Sequence, residues 1–173
     1  MEAVEALRAA LPPAAKDVKL NFGALFTGQV LEKPRLWGTV LSCAFFLRSP
    51  RLKEALLRDA GAEGIAEEVL DDARAAAAIM AMNTVYYRFR HMVAKPTYSE
   101  RPARLRMTRM ARPATSKGDF ELFCLACAAL AGCEACLKAH EVSVLQQGLS
   151  EEQVHEAVRV AAVLSSVATA LEL

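Results

Sequence analysis

Phe120-Glu-Leu-Phe-Cys-Leu-Ala-Cys-Ala-Ala-Leu-Ala-Gly-Cys-Glu-Ala-Cys-Leu-Lys-Ala-His140 holds both the key to the fold and the densest chemistry of the 173-residue chain. Its apolar residues recur at the spacing of a helix face, without the alternation of a strand. One glycine, Gly132, interrupts the run, so a helix over Gly118 to Leu130 gives way to a second over Cys133 to Gln146. Working outward, the same periodicity predicts further helices over about Val4 to Leu11, Arg35 to Leu47, Arg51 to Ala60, Ala66 to Arg90 and Glu151 to Leu171. In the last of these, Ser150 and Gln153 have the capping-box pattern, and Val154, Ala157, Val158, Ala161, Leu164 and Ala168 are the expected core face. The fold expected is an all-α helical bundle. Breaks fall at Pro12-Pro13, Pro34, Ser49-Pro50, Gly61 with Gly64, Pro96 to Pro102, Pro113 and Gly148. None is long enough to be a linker, so residues 1–173 read as a single domain.

A faint internal repeat shows when positions fifty apart are compared. Asp71 then aligns with Glu121, Met82-Asn83 with Gly132-Cys133, Tyr86 with Cys136 and Arg90 with His140. The expected organisation is an internally duplicated helical unit, degenerate over about 66–93 and active over about 116–147.

Charge and hydropathy narrow the function. Lys and Arg number 21 against 20 Asp and Glu, so no global charge selects nucleic acid or a membrane surface as partner. The least polar windows, Leu122 to Cys133 and Val160 to Leu171, are 12 residues each, shorter than the ~20 needed to cross a bilayer. The N-terminal Met1-Glu-Ala-Val-Glu-Ala-Leu-Arg8 lacks the basic start and apolar stretch of a secretory signal. These features predict a soluble, cytoplasmic protein. Five cysteines in such a setting are buried hydrophobes, metal ligands or redox thiols rather than a structural disulfide framework.

Spacing favours redox chemistry at one pair. Cys133 and Cys136 lie three apart, close enough on a helix to cycle between dithiol and disulfide. Cys133 falls at a helix start, where unpaired amides and the dipole favour a thiolate. His140, one turn beyond Cys136, can act as its base. Glu121 on the preceding helix would orient that imidazole or relay a proton if the break at Gly132 folds the two helices together. Read singly, Cys133 and Cys136 would be small core residues, His140 a satisfied core or surface histidine, and Glu121 a solvated first-turn residue. The second pair, Cys124 and Cys127, sits within an uninterrupted apolar helix and reads as packing rather than as half of a zinc site; Cys43 reads as ordinary core. No metal and no tightly bound cofactor is expected.

Phe120-Glu121-Leu122 followed by Gly132-Cys133-x-x-Cys136-x-x-x-His140-Glu141 resembles the alkylhydroperoxidase D (AhpD) family, within the carboxymuconolactone decarboxylase-like superfamily. Leu11-Pro-x-x-Ala-Lys-Asp-Val-Lys-Leu-Asn21, Leu36-Trp-Gly-Thr39, Ala78-Ile-Met-Ala-Met-Asn83 and Tyr87-Arg88 extend the resemblance over essentially the whole chain. It implies a duplicated all-α fold, a homotrimer and weak peroxidase activity toward alkyl hydroperoxides. It also implies a relay of electrons from a dihydrolipoyl group, carried by a 2-oxoacid dehydrogenase acyltransferase, through the dithiol to a partner peroxiredoxin. By position, Cys136 would be the nucleophile that becomes a sulfenic acid, and Cys133 the proton donor and resolving thiol. Glu121 and His140 would complete the proton relay. Family members carry a histidine inside the Cys-x-x-Cys where this chain has Ala135, and Glu134 adds a negative charge. Both differences lead us to expect a less acidic nucleophile.

Between Tyr86 and Lys117, Arg88, Arg90, Lys95, Arg101, Arg104, Arg106, Arg109, Arg112 and Lys117 face Glu100 alone. This basic segment is either a docking surface for an acidic lipoyl-bearing domain or peroxiredoxin, or a solvated loop. RNA binding would rest only on nearby aromatics. Two rival functions stand beside the redox reading: a decarboxylase-like enzyme using His140 on a small carboxylated lactone, and a non-enzymatic scaffold or zinc-bound helical module.

Overall fold

In the computed structural model, which describes residues 1–173, the chain forms ten α-helices, one short 3-10 turn and no strands. In order these are α1 (Glu2–Ala9), a 3-10 turn (Pro13–Ala15), α2 (Lys16–Ala24), α3 (Lys33–Leu47), α4 (Pro50–Ala62) and α5 (Glu67–Val93). Then follow α6 (Pro96–Ser99), α7 (Thr108–Ala111), α8 (Lys117–Ala131), α9 (Glu134–Gln146) and α10 (Glu151–Ala170). The all-α bundle is as the periodicity predicted. No helix is long and apolar enough to cross a membrane.

The bundle is layered around α3 and α8, which pack on each other, with α5 against one side of the pair and α10 against the other. Gly38 makes the central contact possible, because a Cβ there would overlap the Phe123 ring of α8. On the α10 side lies the larger apolar core, built from residues such as Phe22, Trp37, Leu41, Leu125, Val160 and Leu164. On the α5 side lies a smaller one, in which Met80, Phe120 and Phe123 surround Cys124, Cys127, Cys133 and Cys136. The dithiol therefore sits in the smaller core.

Several boundaries and faces differ from the sequence reading. Ser150 and Gln153 do form the reciprocal capping box that starts α10. Of the expected face of α10, Ala157, Ala161 and Leu164 are buried, but Val158 is exposed, and Val160, Val163 and Val167 are buried as well. The cause is that α10 packs in two directions, on α3 and on α8, which moves its buried stripe away from Val158. The helix α2 carried little periodic signal, since Phe22 is its only buried residue and Leu20 faces solvent. The region expected to be the degenerate repeat is a single helix of 27 residues. It passes without a break through Met82, the position aligned with Gly132.

Two buried carboxylates tie distant segments together. Asp59 of α4 accepts from the amides of Ala3 and Val4 at 3.1 and 2.7 Å, satisfying donors that the start of α1 leaves free. Asp72 of α5, fully buried, accepts from the Ala114 and Thr115 amides, the Thr115 hydroxyl and the Arg109 guanidinium at 2.6 to 3.1 Å. Arg90 holds the beginning of the same segment through the carbonyls of Tyr98, Ser99 and Arg101. Together they fasten the basic stretch between α5 and α8 to the bundle.

Burial alone would raise the Asp72 pKa, but the bonds from Thr115, Ala114 and Arg109 outweigh it and hold it below the ordinary value. A carboxylate whose folded pKa is depressed stabilises above its unfolded value and loses that contribution as pH falls through the folded one. We expect Asp72→Ala to cost about 2–3 kcal/mol in urea unfolding near neutral pH. The gap from wild type should shrink as the pH is taken below the ordinary aspartate value of ~3.9.

Candidate active site

The site begins with a helix break. Gly132 ends α8 in the left-handed region, with φ 62° and ψ 36°, and the Arg88 guanidinium of α5 donates to the Ala131 carbonyl beside it at 2.6 Å. Cys133 then takes the N-cap position of α9, where its sulfur accepts from the Cys136 amide at 3.3 Å. The two cysteines are joined as a disulfide, with Cα atoms 5.3 Å apart. Cys133 is wholly buried whereas Cys136 keeps 5% of its surface, so an incoming reagent meets Cys136 first. Both cysteines lie at the amide-rich start of α9, which stabilises negative charge on sulfur.

The fold-back at Gly132 brings Glu121 to His140. Glu121 Oε2 lies 2.6 Å from His140 Nδ1, and both side chains are buried. A carboxylate on Nδ1 fixes the ring and leaves Nε2 as the nitrogen free to exchange protons. His140 and Cys136 together line a cleft of about 230 Å³. The four residues singled out in the sequence thus form one constellation: an accessible sulfur, a buried partner sulfur, and a carboxylate-oriented imidazole beside the accessible one.

Beyond Cys136, His140 and their α9 neighbours Ala135 and Ala139, the cleft is lined by residues for which sequence suggested no catalytic role. Asn83 and Tyr87 of α5 form one wall, and Met107 and Met110, in and just before α7, form another. Asn83 and Tyr87 are spaced to share a helix face, which was visible in sequence. Met107 and Met110 lie in a proline-broken basic stretch without periodicity. In the same stretch, Arg101, Arg104, Arg106 and Arg112 are exposed.

Glu134, the charged residue between the two cysteines, lies at the surface. Its carboxylate is exposed and paired with Lys138 at 2.6 Å and His91 at 3.1 Å. The bonds from Lys138 and His91 hold its pKa below the ordinary value. Its charge is therefore paired at the surface.

The three remaining cysteines are inert. Burial pushes the Cys127 thiol up to about 12, and its S–H donates to the Ser42 carbonyl at 3.6 Å. Burial, with Cys127 nearby, also raises Cys43 and Cys124 well above the ordinary thiol range. Nowhere do three or more His, Cys, Asp or Glu side chains gather in a way that could hold a metal ion.

Comparison with known proteins gives a consistent family. Residues 96–173 match the carboxymuconolactone decarboxylase family. Over its full length the chain is 54% identical to a protein named alkyl hydroperoxide reductase AhpD from Anaeromyxobacter dehalogenans (strain 2CP-C), covering 92% of that protein. A protein of the same name from Methylobacterium sp. (strain 4-46) is 44% identical over 98% of this chain and 96% of its own. One from Solibacter usitatus is 41% identical over 98% and 96%.

The burial pattern sets an order of thiol reactivity. After mild reduction, iodoacetamide should label Cys136 first and Cys133 more slowly, leaving Cys43, Cys124 and Cys127 unmodified until the protein is denatured. Peptide mass spectrometry reads the order. Labelling of Cys124 in the native protein at the rate of Cys136 would contradict the packing described.

Proposed function

The chain belongs to the AhpD family of alkyl hydroperoxide reductases, and from that footing we propose that it reduces alkyl hydroperoxides with the Cys133–Cys136 dithiol, drawing electrons from dihydrolipoyl groups. The observation that carries this reading is the buried 2.6 Å contact between Glu121 and His140 beside the more accessible sulfur. An oriented imidazole next to a thiol at a helix start is the equipment for making a thiolate and returning a proton.

The steps follow from the roles. His140 Nε2 takes the proton of Cys136, and Glu121 stabilises the imidazolium. The Cys136 thiolate attacks the terminal oxygen of the hydroperoxide. The O–O bond breaks, Cys136 becomes a sulfenic acid, and the departing alkoxide takes a proton from the Cys133 thiol to leave as the alcohol. The Cys133 thiolate then attacks the Cys136 sulfur, forming the disulfide and releasing the hydroxyl, which leaves as water with the proton held by His140. A dihydrolipoyl dithiol restores the pair by two thiol–disulfide exchanges and departs as the cyclic disulfide. A second exit for the same electrons is the disulfide of a partner peroxiredoxin. The donor would be a lipoyl-bearing acyltransferase of a 2-oxoacid dehydrogenase. The exposed arginines of the segment that carries Met107 and Met110 would give an acidic domain of either kind a place to dock.

Assembly fits the same reading. Val85, Phe89 and Met92 form an exposed apolar stripe on α5, at 63, 43 and 74% exposure, spaced to lie along one helix face. We assign this stripe to the contact between copies in a homotrimer. Val85→Asp combined with Met92→Asp should yield monomers in size-exclusion chromatography with light scattering, where wild type elutes as a trimer.

The central test is hydroperoxide-dependent oxidation of dihydrolipoamide, with and without a partner peroxiredoxin. Cys136→Ser and Cys133→Ser should each lose about a thousandfold or fall to background. If both variants keep wild-type turnover, the dithiol is structural, and acid–base chemistry at His140 on a carboxylated lactone becomes the better account.

A further inference from the structure

Among the residues lining the cleft, Asn83 alone has a buried polar side-chain atom without a hydrogen-bond partner. It is 96% shielded from solvent, at 4% exposure, and it lines the cleft with Cys136 and His140. Its Oδ1 has no hydrogen-bond partner, and only one other buried side-chain atom in the molecule, the Ser49 hydroxyl, shares that condition. Its Nδ2 faces the Met110 sulfur at 3.9 Å. A thioether accepts but cannot donate, so the amide is oriented with nitrogen toward Met110, and the carbonyl oxygen is the atom left idle. Buried acceptors without a partner are rare in folded proteins and point to a donor that arrives from outside.

We propose that Asn83 is a substrate-binding residue whose Oδ1 accepts the hydroperoxide's own O–H. This deepens the function proposed above and rests on it. An alkyl hydroperoxide carries a single hydrogen-bond donor, on the terminal oxygen, and that is the oxygen the Cys136 thiolate attacks. The groups nearest the sulfurs have other roles: His140 Nδ1 is held by Glu121 and its Nε2 is the base for Cys136, while Cys133 is wholly buried. An acceptor on the α5 side of the cleft fixes the terminal oxygen facing Cys136 on α9 and directs the alkyl group toward Met107 and Met110. Those two unbranched side chains can rearrange to admit the ligand and suit apolar groups of varied shape. Hydrogen peroxide would satisfy Oδ1 equally but leave the apolar wall uncovered. A disulfide oxidant offers no O–H at all.

That last difference supplies the test. Pre-reduced protein is mixed rapidly with cumene hydroperoxide or with oxidised lipoamide, and oxidation of the dithiol is followed in a single turnover. Asn83→Leu, close in volume and without polar atoms, should slow oxidation by cumene hydroperoxide about tenfold or more. Its rate with oxidised lipoamide should change less than about twofold, and its thermal midpoint should hold or rise. Asn83→Ala, which only removes atoms, carries the same comparison if leucine disturbs the packing. Equal slowing with both oxidants would make Asn83 structural and overturn the proposal. So would an unchanged hydroperoxide rate. A wild type that lipoamide oxidises but no hydroperoxide does would remove the peroxidase reading itself, and Asn83's role with it.

Discussion

At Gly132 the backbone enters the left-handed region, a conformation in which a residue with a Cβ is strained, and the chemistry of the molecule hangs on that turn. Glu121 and His140 are nineteen residues apart in sequence. On one straight helix they would be separated by about 28 Å. The reversal at Gly132 lays α9 back against α8, so that carboxylate and imidazole meet and Cys133 becomes the first residue of a fresh helix start. A single backbone angle thus creates the ion-pairing geometry and the thiolate-favouring position together.

The surrounding layers keep the turn in place. Arg88 of α5 binds the last carbonyl before it, and α8 is set by the close approach of α3 at Gly38. Asp72 and Arg90, both on α5, hold down the segment that carries Met107 and Met110 to the mouth of the cleft. One long helix therefore braces the turn, supplies one wall of the cleft and positions the other. The larger core on the α10 side buries most of the apolar surface and supplies stability by ordinary means. This division leaves the smaller core free to hold sulfur and polar groups that contribute little to packing.

What was legible in the sequence was what is local. Gly132, the N-cap role of Cys133, the capping box at Ser150 and the spacing of Cys136 and His140 depend on neighbours within one or two turns, and the structure forms them as expected. The meeting of Glu121 with His140 could be framed only as a condition on the turn. What could not be read depends on tertiary arrangement. Val158 was assigned to the core because periodicity gives a face but not the direction from which other helices approach it. Glu134 could be read as a charge near the thiols, but not as the partner of His91, forty-three positions earlier. Asn83, Met107 and Met110 reach the cleft from two separate segments, and only the path of the chain unites them.

The second Cys-x-x-Cys pair lies six residues upstream of the first on the adjoining helix, an arrangement that invites disulfide migration. Exchange requires a thiolate attacker, and burial pushes the Cys127 thiol up to about 12 and Cys124 well above the ordinary range, which disfavours one there. Oxidising equivalents entering at Cys136 under the proposed chemistry would therefore have no route inward. The packing of α8 would insulate the interior, making the dithiol a two-electron terminal that faces outward, with the core kept off the circuit.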